Sequence, residues 1–161
     1  MSRDADPADF RRLLGHFATG VTVLTARAPD GAPAGMTVNS LASVSLEPPL
    51  VSVAIDRTAD VHDVLTAAKR FVINILDATQ EGHSRRFAQS EVDRFDGVGW
   101  HPAPDGEPIL DGVLAHIECE HFATYPAGDH TILVGRVTGG ATRSGSPLLY
   151  YRGGYAGLGP G

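Results

Sequence analysis

The apolar positions near the start of the chain, Phe10, Leu13, Leu14 and Phe17, recur at i, i+3, i+4 and i+7, the spacing of one helical face. Asp6 stands where an N-cap belongs, and Pro7 suits the first helical position. Asp9 favours the positive end of the dipole, and Gly20 ends the element. The period then changes. Val21–Thr25 is β-branched and strand-like, and Ala28–Gly31 (APDG) places proline and glycine as a type I turn prefers. Residues 21–45 therefore predict a hairpin, and Glu47-Pro48-Pro49 separates it from a strand over Leu50–Ile55. Thr58 is placed to cap a short helix with Val61, Val64, Leu65 and Ala68 inside. Phe71–Leu76 (FVINIL) is the next strand, and a polar helix follows around Thr79–Gln89.

Ser90 to Asp111, rich in Gly, Pro and Asp, reads as a long irregular stretch, and such stretches usually cover or build something. Val113–Tyr125 alternates as a strand, with Val113, Ala115, Ile117, Cys119 and His121 on the core side. Strands over Thr131–Thr138 and Pro147–Tyr151 complete the pattern, and the glycine-rich end is expected to fray after Tyr155. About six strands joined by turns and isolated helices, without a βαβα rhythm, predict a mainly β fold. The architecture expected is an antiparallel barrel with peripheral helices, built as a single domain over residues 1–161 with its ordered part near 8–158.

Length and charge narrow the function. A chain of 161 residues is long enough to bury a core without disulfides, and its single cysteine, Cys119, can form none within the chain. A net charge of −6, with basic residues only singly or in pairs, gives no electrostatic case for nucleic acid or an anionic membrane surface. No apolar run approaches a membrane span and no signal-type segment is present, so a cytoplasmic protein is expected. Phosphate-loop, HExxH and GxSxG motifs are absent, and the seven histidines have no metal-ligand spacing.

What remains is a segment dense in small and hydroxyl residues. Between Gly35 and Ser45 the chain sets Thr37, Asn39, Ser40, Ser43 and Ser45 among apolar neighbours. These could be the solvent face of a hairpin strand; equally, Gly35, Ser40, Ala42 and Ser43 would let a flat, multi-acceptor ligand approach the backbone. Arg57-Thr58 is either an anion site at a helix start or a plain N-cap with a solvated arginine. Ser84–Ala88 (SRRFA) is a second basic spot or an exposed helix face, and Gly128–Thr131 (GDHT) is a turn that aims His130.

Taken in order, these pieces are similar to a known family. The chain resembles the flavin reductase domain family, FMN-binding split-barrel proteins that supply reduced flavin to two-component monooxygenases. The resemblance rests on Phe17–Ala26 (FATGVTVLTA), Gly35–Ile55, Phe71–Leu76, Arg85–Ala88 (RRFA), Arg94–Trp100 (RFDGVGW), Leu114–Cys119, Gly128–Val137 (GDHTILVGRV) and Pro147–Tyr155 (PLLYYRGGY). It implies an antiparallel split β-barrel of FMN-binding type. Its flavin, FMN or FAD, would be held by Thr37, Val38, Asn39, Ser40, Ser43 and Ser45, with the phosphate end near Asp56, Arg57 and Thr58 and the tail near Phe87 and Ala88. His130 and Tyr155 would border the nicotinamide of NADH or NADPH. The resemblance further implies a homodimer with flavin near the subunit interface and a monooxygenase that consumes the reduced flavin. A flavin carrier or sensor, and a reductase of a non-flavin acceptor, are the other functions the same fold allows.

Overall fold

A computed structural model describes residues 3–159. In chain order it contains α1 (Pro7–Leu14), β1 (Thr19–Gly20), β2 (Thr22–Arg27), β3 (Pro33–Val38), β4 (Ala42–Leu46), β5 (Pro49–Asp56), α2 (His62–Ala67), β6 (Arg70–Ile75) and α3 (Glu81–Phe87). These are followed by β7 (Trp100–Pro102), β8 (Pro108–Leu110), β9 (Ala115–Ala127), β10 (His130–Thr142), β11 (Leu149–Tyr151) and β12 (Gly154–Ala156). The fold is mainly β with peripheral helices, as the pattern predicts. No helix among the described residues is long and apolar enough to cross a membrane.

Seven strands form one antiparallel sheet in the order β3-β2-β6-β9-β10-β5-β4. Laid flat, its edges would stand about 29 Å apart at ~4.8 Å per strand. Yet β3 runs into β4 through residues 39–41 alone, a link that reaches at most about 14 Å. The sheet must therefore curl until its two edge strands face each other. They do not hydrogen-bond, so the curl stays open along one seam. This is a split barrel, and it corrects the expectation of one hairpin over 21–45. Only β2 and β3 make that hairpin, and the chain then crosses the seam so that β4 pairs with β5.

Two clusters of buried side chains explain the strand composition. Leu24, Val53, Ile55, Phe71, Ile73, Cys119 and Leu133 fill the inside of the curl. Val23, Val72, Leu76 and Phe87 meet Ile109, Leu110 and Leu148 on the outside of β2 and β6. These two strands are buried on both faces, which is why FVINIL is a continuous apolar run rather than an alternating one. The stretch read as irregular supplies that outer cover. Its small β7–β8 hairpin is pinned by Asn74, whose Oδ1 accepts from the Leu110 amide at 2.9 Å, and whose Nδ2 donates to Val23 O and Thr25 Oγ1.

Several boundaries differ from the sequence pattern. α1 stops at Leu14, capped by the Asp6 carboxylate on the Ala8 amide, and its apolar stripe faces outward: Phe10, Leu13, Leu14 and Phe17 are 53–73% exposed. Thr58 caps no helix. α2 begins at His62, and the Thr58 amide and hydroxyl instead donate to Asp56 Oδ1, both at 2.8 Å. β10 runs on to Thr142 past Gly139 and Gly140, glycines that do not read as strand. A Cβ on Gly140 would lie 2.3 Å from His116 O, so only glycine fits that close ladder. β12 extends through Ala156; of the tail expected to fray, residues 160 and 161 lie outside the described residues.

Candidate functional site

The seam opens into a cleft of about 380 Å³, within the range of small-molecule sites. Its first wall is the end of β3 and the crossing link: Thr37, Val38, Asn39 and Ser40. The β5–β10 ladder gives the floor. His130 pairs with Asp56 and Ile132 with Ala54, so Ala54, Asp56 and His130 share one face while Val53, Ile55 and Leu133 point into the core. Ser84 from α3, Ala88 just past its end, and Tyr150 and Tyr155 from the β11–β12 hairpin complete the surround.

Hydroxyl groups at this seam are engaged with the protein itself. Thr37 Oγ1 donates to Ser84 O at 2.7 Å, and the Ser84 hydroxyl shares a 2.7 Å hydrogen bond with the Tyr155 phenol. β3, α3 and β12 are thereby tied into one wall. Ser40 Oγ accepts from the Ala54 amide at 2.8 Å and donates to Ala54 O at 3.1 Å, a side-chain stitch that continues the β5 ladder where β4 ends. The main chain of the link behaves differently. Among the described residues, no hydrogen bond engages the N–H groups of Asn39, Ser40 or Leu41. Main-chain donors are obligatory hydrogen-bonding groups, so three consecutive ones are left for water or a ligand.

Charges sit at the rim. His130 Nδ1 donates to Asp129 Oδ1 at 2.7 Å, which leaves its Nε2 for other partners. The Asp56 carboxyl is held below its usual range, first by the Thr58 amide and then by the Thr58 hydroxyl, with His130 and His62 adding to the effect. The Arg85 guanidinium lies 4.9 Å from the centre of the Tyr155 ring while paired with Glu81. Among the described residues, no buried acid–base pair lines the cleft.

Of the residues singled out in the sequence, Thr37, Val38, Asn39, Ser40, Asp56, Ala88, His130 and Tyr155 converge on the cleft. Five do not line it. Ser43 and Ser45 flank a bulge on β4, Arg57 and Thr58 are exposed just past Asp56, and Phe87 is fully buried against Phe95 with its ring in the outer core. The sequence pattern passed over Val21, Met36, Ala54, Ser84 and Tyr150. Ser84 and Tyr150 lie inside quoted motifs, but only the folded chain shows which member of each motif faces the seam.

Known proteins resemble this chain across nearly its whole length. A family profile described as "Flavin reductase like domain" matches residues 14–159. The stachydrine N-demethylase reductase subunit Stc3 of Rhizobium meliloti is 46% identical over 93% of this chain, which spans 65% of that relative. The reductase subunit HsaB of a flavin-dependent monooxygenase from Rhodococcus jostii is 40% identical, covering 96% of this chain and 80% of its own length. The solved structure of the Streptomyces globisporus NADH:FAD oxidoreductase SgcE6, in complex with NAD and FAD fragments, superposes with a TM-score of 0.90 at 39% identity. That match covers 99% of this chain and 98% of the other.

Proposed function

The chain belongs to the flavin reductase-like family, and from that premise we propose that it is an NAD(P)H:flavin oxidoreductase supplying reduced flavin to a partner monooxygenase. The observation that carries this reading is the unpaired main chain of residues 39–41 at the rim of a cleft sized for a small molecule. A flavin ring edge carries several acceptors close together, and consecutive peptide N–H groups match it. The same groups would offset negative charge that builds on the bound ring system, without reorganising to do so.

Bound flavin accepts a hydride when a reduced nicotinamide is stacked against it. The residues here position both rings, which fits a site lacking an acid–base pair. In this reading Thr37, Val38, Asn39 and Ser40 hold the flavin chiefly through main-chain contacts, and Ala54 and Ala88 leave room for its rings. Ser43 and Ser45 act from outside the cleft by shaping β4. Arg57, whose guanidinium has no partner among the described residues, takes the phosphate end beside Asp56 and Thr58. His130, oriented by Asp129, and Tyr155, oriented by Ser84, face the nicotinamide. Phe87 supports the α3 wall from the core. The outward stripe Phe10, Leu13, Leu14 and Phe17 supports a homodimer, since a contiguous apolar face of that size marks an interface.

Steady-state oxidation of NADH by the purified protein, with and without added FMN or FAD, tests the proposal. Turnover that requires flavin supports it. Flavin binding without turnover by either NADH or NADPH would make the protein a carrier instead.

A further inference from the structure

We propose that a groove leading from the cleft between α1 and the β11–β12 turn receives the diphosphate of the reduced nicotinamide dinucleotide, with Arg11 and Arg152 as its ligands. The proposal rests on the flavin reductase reading of the cleft and adds where the non-reacting half of the second substrate lies.

Continuity is the first argument. Asn39, Ser40 and Tyr150 line both the cleft and a neighbouring hollow of about 560 Å³. Arg11, Gly15, Arg152 and Gly153 line that hollow and also a third one of about 340 Å³ beyond it, where His16 joins them. Along the chain Arg152 is two residues past Tyr150, roughly 7 Å in an extended strand. A molecule with one end against Tyr150 would therefore meet the arginines partway along its length.

Charge is the second. Eight arginines of this acidic chain have their guanidinium groups engaged by a carboxylate or a main-chain carbonyl. Arg11 and Arg152 have no such partner among the described residues, although both line the same groove. Guanidinium forks match phosphate oxygens bidentately, and two of them suit a diphosphate. The sequence hides this pairing because the two positions are more than a hundred residues apart.

Backbone conformation is the third. Arg152 and Gly153 are the two central residues of the β11–β12 turn, with φ of 51° and 78°. Such turns favour Asn, Asp or Gly at both places, and an arginine at the first is strained. The strained residue is fixed to α1 by its amide, which donates to Gly15 O at 2.9 Å. A Cβ on Gly15 would stand 3.6 Å from Arg152 Cα, an ordinary packing distance, so helix end and turn lie in direct contact there.

The test compares NADH with reduced nicotinamide riboside, which keeps the reacting ring but carries no phosphate. The variants are Arg11→Ala, Arg152→Gly (a residue at ease with the turn's φ) and their combination, with Arg136→Gln on β10 as a control for lost charge. At saturating FMN, the double variant should raise KM for NADH roughly tenfold or more while kcat changes little. KM for the riboside should move by less than about threefold. Equal shifts for both donors, or none for either, would overturn the proposal. So would a loss of FAD affinity relative to FMN with KM for NADH unmoved, which would give the arginines to the flavin's own diphosphate. A change of oligomeric state with both KM values intact would make the groove a subunit contact and also overturn it. Wild-type protein that oxidises no reduced nicotinamide with any flavin would instead contradict the function from which the proposal starts.

Discussion

The ladder β2-β6-β9-β10-β5 and the seam between β3 and β4 use the same polar residue types to opposite ends. Inside the ladder, Thr25 and Asn74 are fully buried, and both side chains and main chain are consumed by neighbours. At the seam the side-chain hydroxyls of Thr37 and Ser40 are consumed as well, but the main chain of 39–41 is not. The seam therefore differs by what its backbone leaves unpaired, rather than by having more polar side chains. A sheet that closed completely would have no such donors to offer. Binding capacity here comes from an interrupted ladder held open by side-chain stitches.

Phe71 is buried at the centre of the curl, and a Cβ on Gly135 opposite would stand 2.4 Å from its ring. Phe71→Ala should reduce stability by about 3–5 kcal/mol, measured by urea unfolding. Whatever fraction stays folded should still bind FMN, because Phe71 does not line the cleft. A variant that loses FMN at full stability would show that ladder and seam are not separable.

A smaller effect is expected from Ser40→Ala, which removes the stitch onto Ala54 while keeping the backbone. Stability should fall by about 1 kcal/mol and FMN affinity by less than about threefold, if the flavin is held by main-chain groups. A tenfold loss of affinity in an equilibrium titration would return the ligand contact to the hydroxyl.

The weakest effect belongs to Cys119, which lies within the ladder opposite Val137. Burial, and secondarily the Glu118 carboxylate, push its thiol up from 9.0 to about 12. Because the folded-state value is the raised one, this contribution to stability is complete below about pH 9 and is lost as pH rises toward about 12. Native protein should leave the thiol unmodified by an aromatic disulfide reagent at pH 8, and unfolded protein should react at once. Rapid labelling of the native state would mean that the curl opens there.

Most of the ladder was legible in the sequence, because FVINIL, LVSVAI and the alternation around Cys119 report burial directly. The seam was legible through its density of small and hydroxyl residues at 37–40, although only the fold shows that the hydroxyls of Thr37 and Ser40 are engaged with the protein while the main chain of 39–41 is not. What stayed hidden depends on long-range packing. Periodicity marks the α1 stripe but cannot say whether this chain covers it. Ser84, Tyr150 and the Arg11–Arg152 groove exist only once α1, α3 and the last hairpin meet around the seam.

Flavin occupancy of the cleft at the open seam is tested by filling it. Ala54 lies on the cleft floor, where a larger side chain projects into open space rather than into the core. Thermal unfolding of wild type and Ala54→Phe should be recorded with and without excess FMN. A ligand that binds only the folded state raises its apparent stability by mass action, so FMN should raise the wild-type Tm. Ala54→Phe should melt near the ligand-free wild type and gain nothing from FMN. An FMN-induced rise as large in Ala54→Phe as in wild type would place the flavin elsewhere and contradict occupancy of the cleft.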